Sequence, residues 1–206
     1  MGGGLKSQFA LEAIFGYNAR PFHSKENRMK KYFLSLLCVA GLSLNVQAAS
    51  IAGFEISPEF GLGAGQTKVA VENSNLHFKD YSVFGRVWLG AFDFVVAPQV
   101  KYDFNSYSGS ETSNTKFRNL QYGISVGYNI GIIIARLTPY IGVNHSSFNK
   151  IYKDTIAYNA GLKLKFDLIP ISLGLLYTYQ KPELDGVLVK QEQKMQSIQA
   201  LIALHF

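Results

Sequence analysis

Of the 206 residues only one is a cysteine, Cys38, and it lies in an N-terminal apolar run. The rest of the chain therefore has neither a disulfide framework nor thiolate chemistry. Beyond that run there is no stretch of 18 apolar residues, which excludes a helical membrane span. Charge is sparse as well, at 17% of all residues. What is plentiful is Gly, Tyr and Phe, with 19, 12 and 15 copies, a composition suited to short strands.

Residues 1–28 have no sustained period and read as an unstructured extension or an over-extended start. Met29-Lys30-Lys31 is a short positive region, 32–44 is an apolar core, and Val46-Gln47-Ala48 ends on a small residue. That grammar predicts a signal peptide over 29–48, cleaved after Ala48, and secretion across an inner membrane. The apolar core is about 13 residues, short of the roughly 20 that a spanning helix needs. Leu37 before Cys38 argues against a lipid anchor there. The leader holds six of the 20 Lys and Arg and two of the 14 Asp and Glu, leaving 14 basic and 12 acidic residues in the mature part. The formal charge of +6 thus shrinks to about +2, and the basic pI gives no argument for nucleic acid.

The mature part, 49–206, is the length of one domain. Eight segments in it alternate with the period of a strand: 54–64, 81–90, 94–104, 120–128, 135–147, 155–166, 171–179 and 198–206. The last places Ile198, Ala200, Ile202, Leu204 and Phe206 on one parity and Gln199 and His205 on the other. The second is the least regular, because Phe84 and Trp88 share a face with Ser82 and Arg86. Short connections near 91–93, 130–134 and 167–170 alternate with longer polar ones over 65–80, 105–116, 149–154 and 181–192. Three short turns and four longer loops fit an all-β, eight-stranded antiparallel up-and-down barrel with both termini at one end. Pro58 and Pro98 fall inside predicted strands, where proline is usually confined to edges or bulges.

The distribution of charge separates a membrane barrel from a soluble one. One face carries Glu55, Glu59, Arg86, Lys101, Asp103, Arg136, Lys163 and Lys165, together with many glycines that leave room for long side chains. The other is almost uncharged and rich in aromatics near the strand ends, as the lipid face of a transmembrane barrel requires. Eight strands enclose an interior that side chains can fill. Glu55, Glu59 and Asp103 are expected to pair there with Arg86, Lys101 and Arg136, since buried charges are tolerated when paired.

Signal peptide, eight alternating strands, short turns and a terminal Phe206 together resemble the small outer-membrane β-barrels of the OmpA/OmpX type. The resemblance implies a porin-like fold in the outer membrane of a Gram-negative envelope, as a monomer. It implies as partners outer-membrane lipid and lipopolysaccharide, periplasmic chaperones and the barrel-assembly machinery, which would read Ile202, Leu204 and Phe206 as a C-terminal signal. No cofactor or metal is expected.

Three functions follow in order. The first is a non-enzymatic barrel with a closed, charged lumen, serving envelope integrity or surface contact through its loops. The second is a small passive pore, in which five inward bases against three acids favour anions. The third is an outer-leaflet enzyme. His145 and Ser147, two apart, project from the lipid side of the fifth segment, and a lipid A deacylase of the PagL type is similar in using a His-x-Ser pair there. Such an esterase needs a carboxylate to orient the His. The pattern departs from that type at Phe148, where an Asn is expected, and Asn159 points inward on the next strand with no Glu on its outward face.

Overall fold

The structure, a computed structural model, describes residues 49–51, 54–71, 74–107, 116–149, 152–185 and 193–206. The extension expected over 1–28, the signal peptide expected over 29–48 and Cys38 lie outside the described residues.

Among the described residues ten strands follow in chain order: β1 (Ala49–Ile51), β2 (Phe54–Val71), β3 (Ser74–Ala91), β4 (Phe94–Tyr107), β5 (Lys116–Tyr128), β6 (Ile130–Ile132), β7 (Ala135–Phe148), β8 (Thr155–Phe166), β9 (Ile171–Gln180) and β10 (Lys194–His205). All pairings are antiparallel, and the order β2-β10-β9-β8-β7-β5-β4-β3 closes on itself through β2–β3. The result is a closed eight-stranded barrel. Closure matters because it leaves no open edge whose N–H and C=O groups lack partners. The short β1 pairs with β2 at Phe54–Ile56, beyond the last β10 pair at His205↔Glu59. In the same way β6 carries on the line of β5 against β7.

The prolines sit where the ladder is interrupted. Pairing of β3 with β4 runs to Arg86↔Gln99 and resumes at Leu89↔Val96, so the gap falls at Pro98. Pairing of β5 with β7 stops at Gly127↔Tyr140 and resumes at Ile130↔Leu137, so that gap falls at Pro139. Pro58 has only its carbonyl to offer, and it accepts a bond from the Phe206 N–H at 3.0 Å. Each proline thus lacks its donor where the ladder asks for none.

At one end the connections are short. Phe92 and Asp93 both hold positive φ, 49° and 69°, which closes β3 and β4 in the two-residue turn whose twist matches the strands. At the other end β2 and β3 do not part at Ala64 and Tyr81. The loop expected over 65–80 is instead a continuation of both strands, in register from Gly65↔Asp80 to Val71↔Ser74. The reason is a change of polarity. From Phe54 to Ala64 the exposed parity of β2 is apolar and the buried parity is polar or glycine. Past that point Gln66 is exposed while Thr67 and Val69 are buried. On β3, Asn75, His77 and Lys79 face out while Leu76 and Phe78 are buried. On β10, Lys194 and Gln196 face out and Met195 is buried.

The barrel therefore has two zones. In the first, Ile56, Phe60, Leu62, Ile124, Ile141, Leu175, Ile202 and Leu204 are exposed on an apolar outer band. Phe54, Phe92, Phe94, Tyr128 and Phe206 are exposed at its turn end, and Tyr81, Phe104, Tyr158 and Tyr177 towards its loop end. Two aromatic girdles around an apolar band are the surface of a barrel that spans a bilayer, and a soluble barrel would reverse the faces. The second zone, nearer the loops, has the polarity of a water-soluble fold. Its centre is a small aromatic cap in which Phe117 packs edge-to-face on Phe78 and on Tyr152, with Leu184 and Met195 also buried.

Candidate functional site

The lumen is where the fold gathers its chemistry. Near the turn end, Glu55 of β2 pairs with Arg136 of β7 and, at 2.9 Å, with Lys165 of β8. Lys165 also donates to Ser57 at 3.0 Å, and Arg136 reaches towards Asp167 at 3.8 Å. One layer further in, Glu59 is 4% exposed and takes four donors. They are Arg86 Nη2 at 2.8 Å, Trp88 Nε1 at 2.6 Å, Lys163 Nζ at 2.8 Å and Ser172 Oγ at 3.1 Å. Two cations and one carboxylate so close would leave an excess of buried charge. The aromatic rings supply the rest: the Arg86 guanidinium lies 4.9, 5.0 and 5.2 Å from the ring centres of Phe84, Trp88 and Tyr140. Lys163 lies 4.6 Å from Trp88. The ring faces carry negative potential towards these cations.

Phe84 and Tyr140 fit because glycines face them. A Cβ on Gly61 would meet the Phe84 ring at 2.6 Å, and one on Gly161 would collide with Tyr140. The inward glycines thus make room for rings at least as much as for the charged chains expected from the sequence. Phe84, Trp88, Tyr140, Leu176 and Leu201 form an apolar band across the lumen. The void beside Arg86, Gln99, Lys101 and Asn144 measures about 10 Å³, room for about one water.

Above this band the lumen is polar again. Asp103 of β4 receives Lys101 Nζ at 3.1 Å, Gln121 Nε2 at 2.9 Å and Gln199 Nε2 at 3.2 Å. Asp80 of β3 receives the hydroxyls of Thr67 and Ser197 at 2.8 and 2.7 Å. Ser146 Oγ lies 2.7 Å from the side-chain amides of both Asn119 and Gln180, its single proton serving one of them.

All eight lumen charges read from the sequence lie on the inner side of the wall, and they fall into three separate clusters. Sequence reasoning missed Trp88 and Ser172 as partners of Glu59, and it missed Asp80 because that residue was placed in a loop. With Asp80 added to Glu55, Glu59 and Asp103, the inward acids number four against five bases among the described residues. His205, expected to face the lumen, is 8% exposed. Ile202, Leu204 and Phe206 point outward on the apolar band.

On the outer face, His145 is half-exposed at the loop end of β7. It stacks on Tyr122 at 5.0 Å, and its Nε2 lies 3.3 Å from Asp154 Oδ2. Asp154 also accepts the Phe148 N–H at 3.3 Å. A carboxylate beside the His therefore exists, although β8 itself carries no Glu on its outward face, as the sequence analysis expected. It comes from the residue before β8, one register step beyond the last β7–β8 pair, Ser146↔Thr155. That step places Asp154 opposite Ser147. No hydrogen bond joins Ser147 to His145 among the described residues. Asn159 is buried in the lumen and accepts the Thr178 hydroxyl at 2.8 Å, so it takes no part.

No protein-family model and no curated protein matches the chain. Among solved structures, Neisserial surface protein A is similar at a TM-score of 0.48 and 13% identity, covering 77% of this chain and all of that one. The outer membrane enzyme PagL is similar at 0.48 and 10%, covering 71% of this chain and 98% of that one. Ail, the attachment invasion locus protein of Yersinia pestis, is similar at 0.44 and 17%, covering 76% and 100%. On its own geometry, with backbone groups paired around the wall, charge inside and an apolar band with aromatic girdles outside, the chain is a transmembrane β-barrel of eight antiparallel strands.

Proposed function

We propose that this barrel is a non-enzymatic protein of a Gram-negative outer membrane, with a closed lumen, acting in envelope integrity or surface contact through its loop end. The turn end faces the periplasm and the loop end the exterior, the usual orientation of such barrels. Outer-membrane lipid and lipopolysaccharide surround it as a monomer, and periplasmic chaperones with the barrel-assembly machinery deliver it.

The observation that carries this reading is the Glu59 cluster. Arg86, Trp88, Lys163 and Ser172, from three other strands, converge on one carboxylate and cross the lumen. The void beside them holds about one water, too little for a hydrated ion to pass. The passive pore is the weaker alternative for the same reason. The test is conductance: purified, refolded barrel in planar bilayers is expected to give no steady channel steps. Unitary steps that persist at constant voltage would replace the closed barrel with the pore.

Asp154 on His145 favours a second reading, an outer-leaflet esterase acting on lipid A. Ser147 would be the nucleophile, His145 the base and Asp154 the group that orients the base. The measurement is mass spectrometry of lipid A from cells expressing the protein. Loss of a 3-O-acyl chain that is restored by Ser147→Ala would establish the enzyme, and unchanged lipid A would leave the envelope role.

A further inference from the structure

The charges on the outside of the wall gather just past the apolar band, and on one side of the barrel they carry one sign. Lys68 of β2, Lys79 of β3, Lys116 and Arg118 of β5 and Lys194 of β10 all stand on the outward parity there, Lys68 half-exposed and the others exposed. Among the described residues no Asp or Glu stands on the outward parity of β2, β3, β4, β5 or β10 at that end. None of the five cations has an ion pair among the described residues.

The ladder sets them side by side. Lys68 pairs with Gln196 of β10 and with His77 of β3, which puts Lys194 and Lys79 on its two diagonals. Diagonal neighbours lie about 7–8 Å apart. Ser106 of β4 pairs with Lys79 on one side and with Lys116 on the other, so those two cations stand about 10 Å apart across three strands. Arg118 follows Lys116 on the same face, with its guanidinium 5.9 Å from the ring centre of Phe104. Like charges at these spacings repel one another unless anions stand between them. The opposite side of the barrel differs. There β7 and its connection to β8 present Ser147 and Asp154, and Lys153 is matched by Glu183 at 3.5 Å.

Height decides what the anions belong to. Lys79 stands two residues beyond Tyr81, and Arg118 is the cross-strand partner of Phe104, both rings of the loop-end girdle. Such a girdle marks the boundary between hydrocarbon and water. Two residues of a strand tilted by about 40° rise about 5 Å, which places the cations level with lipid headgroups. A phospholipid brings one phosphate to that layer. A glycolipid with phosphates on its sugars brings several on one frame, which fits an arc spread over five strands.

We propose that this arc binds the phosphates of an outer-leaflet glycolipid of the lipid A class, with Lys68, Lys79 and Arg118 at its centre and Lys116 and Lys194 at its ends. The site rests on the outer-membrane reading above, with the loop end outside. It adds that the lipid around the barrel is not uniform: the phosphorylated glycolipid is held on the β10–β2–β3–β4–β5 side and not on the β7–β8 side.

The test is native mass spectrometry of the purified, refolded barrel in micelles, titrated with diphosphorylated lipid A, with dephosphorylated lipid A and with phosphatidylglycerol. The diphosphorylated form should bind more tightly than the dephosphorylated one by about tenfold in low salt, and the difference should shrink as salt is added. Lys79→Gln combined with Arg118→Gln should weaken its binding by about 30-fold, each cation near an anionic surface counting for about fivefold. Lys153→Gln, on the other side, should leave binding unchanged. Equal binding of the two lipid A forms, or undiminished binding by the double variant, would overturn the site. Phosphatidylglycerol bound as tightly as diphosphorylated lipid A would replace it with a general anionic-lipid surface. The assay uses purified protein, so it fails separately from the envelope reading, which cell fractionation decides.

Discussion

Glu59 is where a single side chain has the greatest leverage, because four donors from β3, β8 and β9 end on it. Removing its charge leaves Arg86 and Lys163 facing each other in the lumen. Breaking a buried pair in this way typically costs about 3–5 kcal/mol. Glu59→Gln is therefore expected to lower the urea stability of the refolded barrel by that order, and a loss below 1 kcal/mol would show that the cluster is slack. Part of this arrangement was legible in the sequence. Alternation alone put Glu59, Arg86 and Lys163 on the inner face. It could not say which of them meet, since contacts across a lumen depend on strand tilt and closure, which parity does not encode. Trp88 shows the same limit: its place beside Arg86 was visible, and its bond to Glu59 was not. Asp154 failed for a different reason. The search for a partner of His145 looked along the next strand, whereas the carboxylate arrives one residue before that strand begins.

At the level of the strand, the informative event is the change of face polarity on β2, β3 and β10. Apolar-out alternation identifies a stave only within lipid. Once the strand rises into water the same period continues with its signs exchanged, and a search for outward apolar residues ends too early. That is why β2 and β3 run 18 residues each while the sequence supported 11 and 10. Two substitutions on β10 measure the change directly. Ile202→Arg, in the middle of the apolar band, should cost about 2–4 kcal/mol, and Gln196→Arg, beyond it, should cost at most about 1 kcal/mol. Equal costs in refolding titrations into vesicles would mean that the polarity change does not mark the lipid boundary. The cap is a separate unit of packing. Phe78→Ala removes the ring that meets Phe117 and Tyr107 at 5.1 and 5.6 Å. It should open the loop end to proteases and speed amide exchange there, while the lipid-embedded part of the barrel keeps its protection.

For the molecule as a whole, closure of eight staves predicts an anomalous gel mobility that is lost on boiling, and recovery in the outer-membrane fraction. A soluble periplasmic product of unchanged mobility would contradict the membrane reading. The number of staves and their boundaries at the turn end were readable because lipid imposes one uniform rule on every strand. The contents of the lumen obey no such rule, and their layering from charge to rings to amides to an aromatic cap emerges only in three dimensions.

The apolar reach of β2 from Phe54 to Ala64 has a further consequence for where the protein can reside. Eleven residues tilted by about 40° rise roughly 25 Å. Polar groups stand immediately beyond it, Gln66 and Lys79 on one side and Lys194 and Gln196 on another, so the barrel cannot sink to meet a thicker bilayer. Hydrophobic mismatch would fall on the lipid, which must thin around the protein at a small cost for every ångström. In vesicles made from a series of acyl-chain lengths, folding efficiency should peak at short chains and decline steadily as the hydrocarbon layer grows past the height of that single stretch.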